Sequence, residues 1–337
     1  MPRPAPEKQA FMWTATAAAG LCVVLLFAVL ATGRFTPSAK IPNTVVSADE
    51  TVLGSRYGGR IAAVLRKPVA VQYVAPPLKL QPLFEQIGYR LEYVRRYGNV
   101  PRLFLASLPA NLQEIKHPQE RKAIFIKMAL PLILHANEMI LWDRKIILKL
   151  LEKLRIGKTI ASGEQAWLNK KAREYGLAEP DLTELVRRID VIPPSLALAQ
   201  AAEESGWGTS RFAREGNAIY GQRTWGKENS MEPARREEGK TFKVRAFNRL
   251  IDGVMSYTRN LNGHVAYEEF RRAREAQRRL GGGFDGLALA PALKRYSERG
   301  DAYIDTIRML IRVNNLQAFD KARLSDRHAA DLAGPDA

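Results

Sequence analysis

Cysteine and histidine are scarce in this chain, and their scarcity excludes two kinds of site. Cys22 is the single cysteine among 337 residues, so neither an intramolecular disulfide nor a site built on several thiolates can form. The four histidines lack the spacing of metal ligands and are His117, His135, His264 and His328. A zinc site is therefore not expected, and we predict that the chain binds no metal. There is also no glycine-rich phosphate loop after a strand.

Acidic residues are outnumbered by basic ones. The chain has 52 Lys and Arg against 35 Asp and Glu, a formal net charge of +17. Such a charge is compatible with binding to nucleic acid, an anionic membrane surface or an acidic polymer, and it does not distinguish among these partners. Because the basic residues are spread along the chain, nucleic-acid binding is the least favoured of these, and we predict no nucleic-acid partner.

One long segment has no charge at all. The 21 residues from Phe11 to Ala31 contain no Asp, Glu, Lys or Arg, and this length can cross about 30 Å of hydrocarbon. A cleaved signal peptide usually has a shorter apolar core, so we predict a transmembrane anchor at 11–31 after a tail at 1–10. Residues 32–80 are rich in Pro, Gly, Ser, Thr and Val and are predicted to form a linker.

From about residue 81 the apolar pattern becomes helical. We predict a helical region at 81–189 that packs on a second domain at 190–317. Only residues 237–247 alternate polar and apolar side chains, which predicts one arm of a β-hairpin. The arginine-rich stretch 271–279 is expected to be a solvated helix face. The polar residues 318–337 are expected to form a flexible tail.

The most informative segment is a short helix that ends beside two glutamates. Pro193 and Pro194 suit its first positions, and Gly206 suits the position after its end. The residues between are mostly small or aliphatic, so the helix can be packed on nearly all sides. Partial burial, the negative helix end and the like charge of Glu203 all favour a raised pKa for Glu204. Such a carboxyl can act as a general acid near neutral pH; the alternative is a pair of solvated charges.

These residues carry a family resemblance. The segments Leu198–Ser210 (LAQAAEESGWGTS) and Gly216–Gln222 (GNAIYGQ) resemble the signature of the bacterial N-acetylglucosaminidases of glycoside hydrolase family seventy-three. Within that family the chain is most similar to the Bax-type proteins. The similarity continues through Val244–Phe247, Tyr257–Asn262 and Tyr296–Tyr303.

The resemblance implies an α+β, mainly helical, lysozyme-like glucosaminidase fold with a small β-hairpin lobe. It also implies cleavage of the β-1,4 bond after N-acetylglucosamine in peptidoglycan, with Glu204 as the general acid. No cofactor is expected, because carboxylates and aromatic residues can transfer protons and position sugars. A second carboxylate would come from the hairpin. Glu237 and Glu238 lie in the matching region, with Glu232 further back.

The resemblance also supplies candidates for substrate binding, which are Trp207, Asn217, Tyr220, Trp225, Tyr296 and Tyr303. Tyr296 and Tyr303 resemble the family's paired tyrosines, with a spacing one residue longer than the common form. One of them would orient the acetamido group or water, or both would pack in the core with a bonded hydroxyl. Asn217 would line the cleft or cap a helix, and Trp225 would be a sugar platform or part of the core.

Together these features predict a peptidoglycan hydrolase that acts on glycan strands. We expect a single-pass inner-membrane protein with its catalytic domain in the periplasm. Two alternatives stay open. One is a lytic transglycosylase or muramidase on a related fold, which also depends on one glutamate acid. The other is an inactive, membrane-anchored protein that binds murein.

Overall fold

The computed structural model describes residues 73–76, 80–226, 229–233, 242–281 and 283–328. The predicted anchor at 11–31 lies outside the described residues, as do most of the predicted linker and both Glu237 and Glu238. All described residues belong to one unit, Leu53–Ala337.

Within its described part the chain is mainly helical, with three small sheets. The helices are α1 Leu80–Gln86, α2 Leu91–Tyr97, α3 Pro118–Arg155, α4 Ser162–Glu174, α5 Leu182–Arg188, α6 Pro194–Ser205, α7 Arg211–Gly216, α8 Leu250–Gly263, α9 Glu268–Arg279, α10 Gly286–Leu289 and α11 Asp301–Val313. Short 3₁₀ helices lie at Leu112–Glu114, Val265–Tyr267, Ala290–Tyr296 and Leu316–Lys321. The strands are β1 Tyr73–Val74, β2 Asn99–Arg102, β3 Phe104–Leu105, β4 Arg223–Thr224, β5 Ser230–Met231, β6 Lys243–Arg245 and β7 Arg323–His328.

The sheets join distant parts of the chain. Strands β1 and β3 pair in parallel, and so do β2 and β7. Strand β6 is the centre of an antiparallel sheet, with β4 on one side and β5 on the other. Its middle residue, Val244, lies opposite both Arg223 and Met231. The β structure predicted within 237–247 is therefore present as β6, in a sheet of three strands.

Helix α6 is the central element, and both of its predicted ends are confirmed. Pro194 occupies its first turn, and Gly206 caps its end in the left-handed conformation at φ 58°. Every residue from Pro194 to Ala202 is buried, because small side chains let α3, α10, α11 and Leu316–Lys321 pack closely around the helix. At Gly286 of α10, an added Cβ would lie only 2.2 Å from Oγ of Ser195.

Helix α3 is 38 residues long and passes through the core. By length and composition it could cross a membrane, but 83% of its most apolar 18-residue window is buried inside the protein. Its first half joins the main core, which combines residues of 80–136 with residues of 192–324. Its second half packs with α4 and α5 in a smaller apolar cluster.

The expectation of a flexible tail from residue 318 is wrong for residues 318–328. Phe319 and Leu324 are buried in the main core. The backbone of β7 pairs with β2, at Asn99 opposite Arg323 and Val100 opposite Leu324. Two apolar side chains and a ladder of backbone hydrogen bonds therefore hold this segment, although its overall composition is polar.

The expected solvated face at 271–279 is also wrong for two arginines. The relative exposure of Arg271 is 1% and that of Arg274 is 0%. Arg271 donates to the carbonyl oxygens of Leu261 and His264, near the end of α8. Carbonyl groups at helix ends lack partners within the helix, and the buried guanidinium groups supply donors for them.

Candidate active site

Glu204 lies in the last turn of α6 and is partly buried. Its Oε1 accepts a hydrogen bond from Oη of Tyr303 over 3.0 Å. Burial raises the pKa of Glu204, and the charge of Glu203 raises it further, whereas the Tyr303 hydroxyl, Arg299 and Arg223 oppose this rise. The raised pKa that the sequence predicted is therefore present. Such a carboxyl can hold a proton and release it to a leaving group.

Two side chains that the sequence did not single out extend this contact into the core. Nε2 of Gln200 donates to Oη of Tyr303 over 3.0 Å. Oη of Tyr257 donates to Oε1 of Gln200 over 2.7 Å. Gln200 and Tyr257 are both fully buried. Gln200 lies one turn before Glu204 on the same helical stripe, and this spacing is the signal that could have identified it.

The tyrosines around Glu204 form two stacked pairs. Tyr296 stacks on Tyr303 with ring centroids 5.5 Å apart, and Tyr220 stacks on Tyr257 with centroids 3.8 Å apart. Burial raises the pKa of all four hydroxyls, so they stay neutral and can donate hydrogen bonds. Tyr220 is itself buried in the core. The ring of Tyr257 covers one face of Tyr220, and the role of Tyr220 in substrate binding stays a prediction.

Two ion pairs lie beside the carboxyl of Glu204. Arg299 binds Glu203 at 2.6 Å, and Arg223 binds Glu298 at 2.8 Å. Glu298 and Arg299 are adjacent in the chain just before α11, so this turn is tied to both α6 and β4. The carboxylate of Glu203 is thus engaged by an arginine. Glu204 bonds instead to a neutral hydroxyl, which favours it over Glu203 as the acid.

The other oxygen of Glu204 lies beside Gly221. This glycine has a left-handed φ of 57°, and a Cβ built on it would lie 3.5 Å from Oε2 of Glu204. The end of α6, the turn at Gly221 and the start of α11 therefore meet at one carboxyl group. The hydroxyl of Tyr303 is hydrogen-bonded to Oε1 of Glu204, and Oε2 lies beside Gly221.

Trp207 follows α6 and packs against α3. Its ring meets Phe125 edge to face at 5.8 Å, and Nζ of Lys122 lies 5.1 Å from the ring centre. The ring therefore fixes the end of α6 against α3. Its predicted role in binding substrate stays a prediction.

Asn217 ends α7. Its φ of 52° is left-handed, and its Nδ2 donates to the carbonyl oxygens of Phe247 at 3.0 Å and Asn248 at 3.2 Å. Of the two predicted roles, the structure therefore gives Asn217 that of a helix cap. The residue is buried and its amide holds the segment before α8, and its role in lining the cleft stays a prediction.

The remaining predicted site residues are Trp225 and the candidates for the second carboxylate. Trp225 is 75% exposed, so the prediction that it belongs to the core is wrong and its role as a sugar platform stays a prediction. Glu232 is exposed and pairs with Lys243 at 3.0 Å. Because Glu237 and Glu238 lie outside the described residues, the second carboxylate also stays a prediction.

Clusters of metal ligands and surface concavities are two further features that can mark a functional site. Among the described residues, no group of three or more His, Cys, Asp or Glu could hold a metal ion. A concavity of about 310 Å³ is lined by Tyr89, Tyr93 and Tyr97, among others. A second, of about 330 Å³, includes Trp142 and Lys171. Neither of these two concavities includes Glu204 or its partners.

Comparison with known proteins places the chain in a family. The glucosaminidase family, described as mannosyl-glycoprotein endo-beta-N-acetylglucosaminidase, matches residues 179–316. Protein bax of Escherichia coli (strain K12) is 30% identical over 224 residues, which make up 65% of this chain and 76% of that protein. The chain therefore belongs to the glucosaminidase family and, within it, to the Bax-type proteins.

A solved structure also overlaps with this chain. It is the catalytic domain of the autolysin Auto from Listeria monocytogenes, which is 16% identical. The overlap covers 51% of this chain and 97% of that domain, with a TM-score of 0.31. A TM-score of this size supports no conclusion about this chain.

Proposed function

We propose that this protein is a peptidoglycan hydrolase that cleaves the β-1,4 bond after N-acetylglucosamine, with Glu204 as the general acid. One observation carries the proposal: a partly buried carboxyl with a raised pKa lies at the end of a buried helix and is bonded to a neutral tyrosine. Membership of the glucosaminidase family supports hydrolysis of a glycan in general. The proposed substrate is the glycan strand, bound in a lysozyme-like cleft beside Glu204.

In the proposed reaction, neutral Glu204 gives its proton to the glycosidic oxygen as the bond from that oxygen to the sugar C1 breaks. Glu204 then becomes a carboxylate. The hydroxyl of Tyr303 already donates to it, and the charges of Arg299 and Arg223 favour its ionised form. These fixed groups stabilise the negative charge that develops on the acid during proton transfer.

The proposed second carboxylate is Glu237 or Glu238. It would activate water or stabilise positive charge on the sugar ring. Among the described acids near Glu204, Glu203 and Glu298 are each bound to an arginine. These pairs support a search for the second carboxylate in the segment before β6. Trp225 and Tyr296 are proposed to contact the sugar.

We also propose that the apolar segment at 11–31 anchors the protein in the inner membrane and that the catalytic part lies in the periplasm. The length of the uncharged run supports the anchor. The periplasmic location follows from the proposed substrate. Protease treatment of spheroplasts, with detection of the C-terminal half, would test this orientation: resistance to the protease would refute it.

The proposed reaction is tested by digesting purified murein and identifying the new chain ends. A reducing N-acetylglucosamine end is the expected product, and an anhydro-muramic end would instead identify a lytic transglycosylase. Glu204→Gln is expected to reduce turnover about 10²–10⁴-fold, because a general acid contributes about that much. Glu215→Gln is a matched control, because Glu215 is exposed and pairs with Arg211 on α7.

Two outcomes would overturn the proposal. Unchanged hydrolysis by Glu204→Gln would remove Glu204 from the reaction. Binding of murein by the wild-type protein without any new chain ends would identify a protein that binds murein without cleaving it.

A further inference from the structure

The hydrogen bonds that reach Glu204 from the core all run in one direction. Tyr257 donates to Gln200 over 2.7 Å, Gln200 donates to Tyr303 over 3.0 Å, and Tyr303 donates to Glu204 over 3.0 Å. The three donors come from α8, α6 and α11. Gln200, Tyr257 and Tyr303 are all buried, so water does not compete freely for these bonds.

The amide of Gln200 sets this direction. An amide has one end that accepts and one end that donates. The hydroxyl of Tyr257 has one proton and gives it to Oε1, so Nε2 is left to face Tyr303. The oxygen of Tyr303 then accepts from Gln200, and its own proton is available to Glu204. If the amide were reversed, Oε1 of Gln200 would take the proton of Tyr303, and Glu204 would lose its donor.

The same direction distinguishes the two oxygens of Glu204. An oxygen that accepts a hydrogen bond from Tyr303 is a poor place for a second proton, because two hydrogens would then meet between the same two atoms. The proton of neutral Glu204 is therefore favoured on Oε2, which lies beside Gly221. This is the oxygen that has to reach a glycosidic bond.

We propose that Gln200 and Tyr257 are positioning residues, which keep Tyr303 donating to Oε1 of Glu204 and so hold the transferable proton on Oε2. The inference rests on the proposed function of Glu204 as the acid. Neither residue touches the substrate in this account. Both act through Tyr303. Their removal should therefore change the pH at which Glu204 releases its proton, as well as the rate of turnover.

Several other groups act on the same carboxyl and have to be held constant in any test. The charged groups are Glu203 of α6, Arg299 before α11 and Arg223 of β4. The neutral hydroxyls are Tyr257 of α8, Tyr267 and Tyr296 of the 3₁₀ helices, and Tyr303 of α11. The hydrogen bonds of Gln200 and Tyr257 join them to each other and to Tyr303, and not to these charged residues, so changes at the two positions leave the ion pairs intact.

The experiment compares Tyr257→Phe and Gln200→Leu with wild type in the full-length chain. Two readouts are measured against pH: kcat/KM on murein, and the ¹³C chemical shift of the Glu204 carboxyl, assigned by its loss in Glu204→Gln. In Tyr257→Phe, Oε1 of Gln200 loses its donor and the amide turns to accept from Tyr303. The alkaline limb of the pH–activity profile and the ¹³C titration should then both move to higher pH by about one unit, because Glu204 loses a charge-assisted hydrogen bond that favours its ionised form.

Tyr89→Phe is the matched control. Tyr89 is a buried tyrosine of the main core, and its hydroxyl belongs neither to the directed chain nor to the groups that act on Glu204. Its loss should leave the alkaline limb and the ¹³C titration where wild type has them. A purely structural role for Tyr257 would predict lower stability and lower activity at every pH, with no movement of the limb.

The outcomes separate this inference from the proposed function. If Glu204→Gln is inactive but Tyr257→Phe and Gln200→Leu both titrate as wild type does, the positioning role is overturned and the acid is retained. If Glu204→Gln remains active, the proposed function fails. The ¹³C titration still reports on the hydrogen bonds, because it requires no turnover. Should Gln200→Leu fail to fold, Tyr257→Phe, which removes a single oxygen, decides the question.

Discussion

Oη of Tyr303 donates a hydrogen bond to Oε1 of Glu204 across 3.0 Å, although the two residues are 99 positions apart in the chain. This contact joins the start of α11 to the end of α6. It also gives a carboxyl that burial would otherwise keep neutral one partner that favours its ionised form. The balance between burial and this hydrogen bond determines the pH at which Glu204 releases its proton, and it leads to the first two predictions.

Replacement of Glu204 should make the protein more stable at neutral pH. The pKa of Glu204 is raised in the folded state, so ionisation costs more in the folded protein than in the unfolded chain. The contribution of Glu204 to the free energy of unfolding is therefore fully present below the pKa that Glu204 has in the unfolded chain. It is lost as pH rises through the pKa that Glu204 has in the folded protein. In Glu204→Gln this loss is absent, and the amide oxygen can still accept from Tyr303.

Urea denaturation at pH 7 and pH 4 measures the sign of the stability difference between Glu204→Gln and wild type. The Gln variant should have the larger free energy of unfolding at pH 7, and the difference should shrink at pH 4. A Gln variant that is less stable than wild type at pH 7 would contradict the assigned burial of this carboxyl.

Glu203 and Arg299 should shift the pH dependence of activity in opposite directions. The charge of Glu203 raises the pKa of Glu204, and that of Arg299 lowers it. Activity that needs protonated Glu204 declines as pH rises through that pKa. Glu203→Gln should therefore move the alkaline limb to lower pH, and Arg299→Gln should move it to higher pH.

The double variant provides an internal control for this pair. Glu203 and Arg299 bind each other at 2.6 Å, so removing both deletes two charges whose effects on Glu204 oppose one another. Its alkaline limb should lie between those of the two single variants. The expectation would be contradicted if both single variants moved the limb in the same direction in kcat/KM profiles.

The ends of α6 could be predicted from the sequence because both signals are local. A proline at the first turn and a glycine after the last one need no knowledge of the rest of the fold. The partners of Glu204 were harder to find. The family resemblance indicates Tyr303, whereas Gln200 is not among the candidates that the sequence supplies. Its bonds to Tyr257 and Tyr303 depend on how α8 and α11 pack on α6, and no local pattern encodes that packing.

Two segments with charged or polar composition contain buried residues. Arg271 and Arg274 were expected in solvent because charged residues are rarely buried unless they are paired. Their carbonyl partners belong to other helix ends and are not visible along the chain. The spacing of three residues, which puts both on one helix face, was the available sign. The segment around Phe319 was likewise read as a polar tail, because two isolated apolar residues form no periodic pattern.

The burial of Arg274 predicts a large effect on stability. Its buried guanidinium donates to five acceptors, which are the carbonyl oxygens of Arg187, Arg188, Asp190 and Val191 and Oδ1 of Asn262. Arg274→Leu would remove the guanidinium donor from all five acceptors, and should lower the free energy of unfolding by about 3–5 kcal/mol.

Arg272→Ala is the control on the same helix. Arg272 is exposed and pairs with Glu268 four residues earlier, so its loss should cost about 0.5 kcal/mol or less. Urea denaturation of both variants at one pH measures the contrast. Equal effects at the two positions would show that Arg274 does not hold the end of α5.

Asp320 should make stability fall between about pH 4 and pH 6. Its carboxylate accepts from the backbone N–H and Oγ of Ser195 at 2.8 Å each, and from the N–H of Gly286 at 3.1 Å. Burial outweighs these bonds and raises the pKa of Asp320 from 3.8 to about 6. The folded state therefore binds a proton that the unfolded chain releases, and this contribution is lost as pH rises through the folded pKa. From the size of the shift, the loss is about 3 kcal/mol.

Asp320→Asn removes the titration and keeps a carbonyl oxygen for the N–H of Ser195. Its amide nitrogen cannot accept from Gly286, so the variant should be less stable than wild type at pH 4, where wild-type Asp320 is largely protonated and keeps its contribution. The stability of Asp320→Asn lacks this pH dependence. The difference in free energy of unfolding between the variant and wild type should therefore narrow by pH 7. Urea denaturation at half-unit steps from pH 4 to pH 7 measures both curves, and parallel curves would show that Asp320 does not titrate at the start of α6.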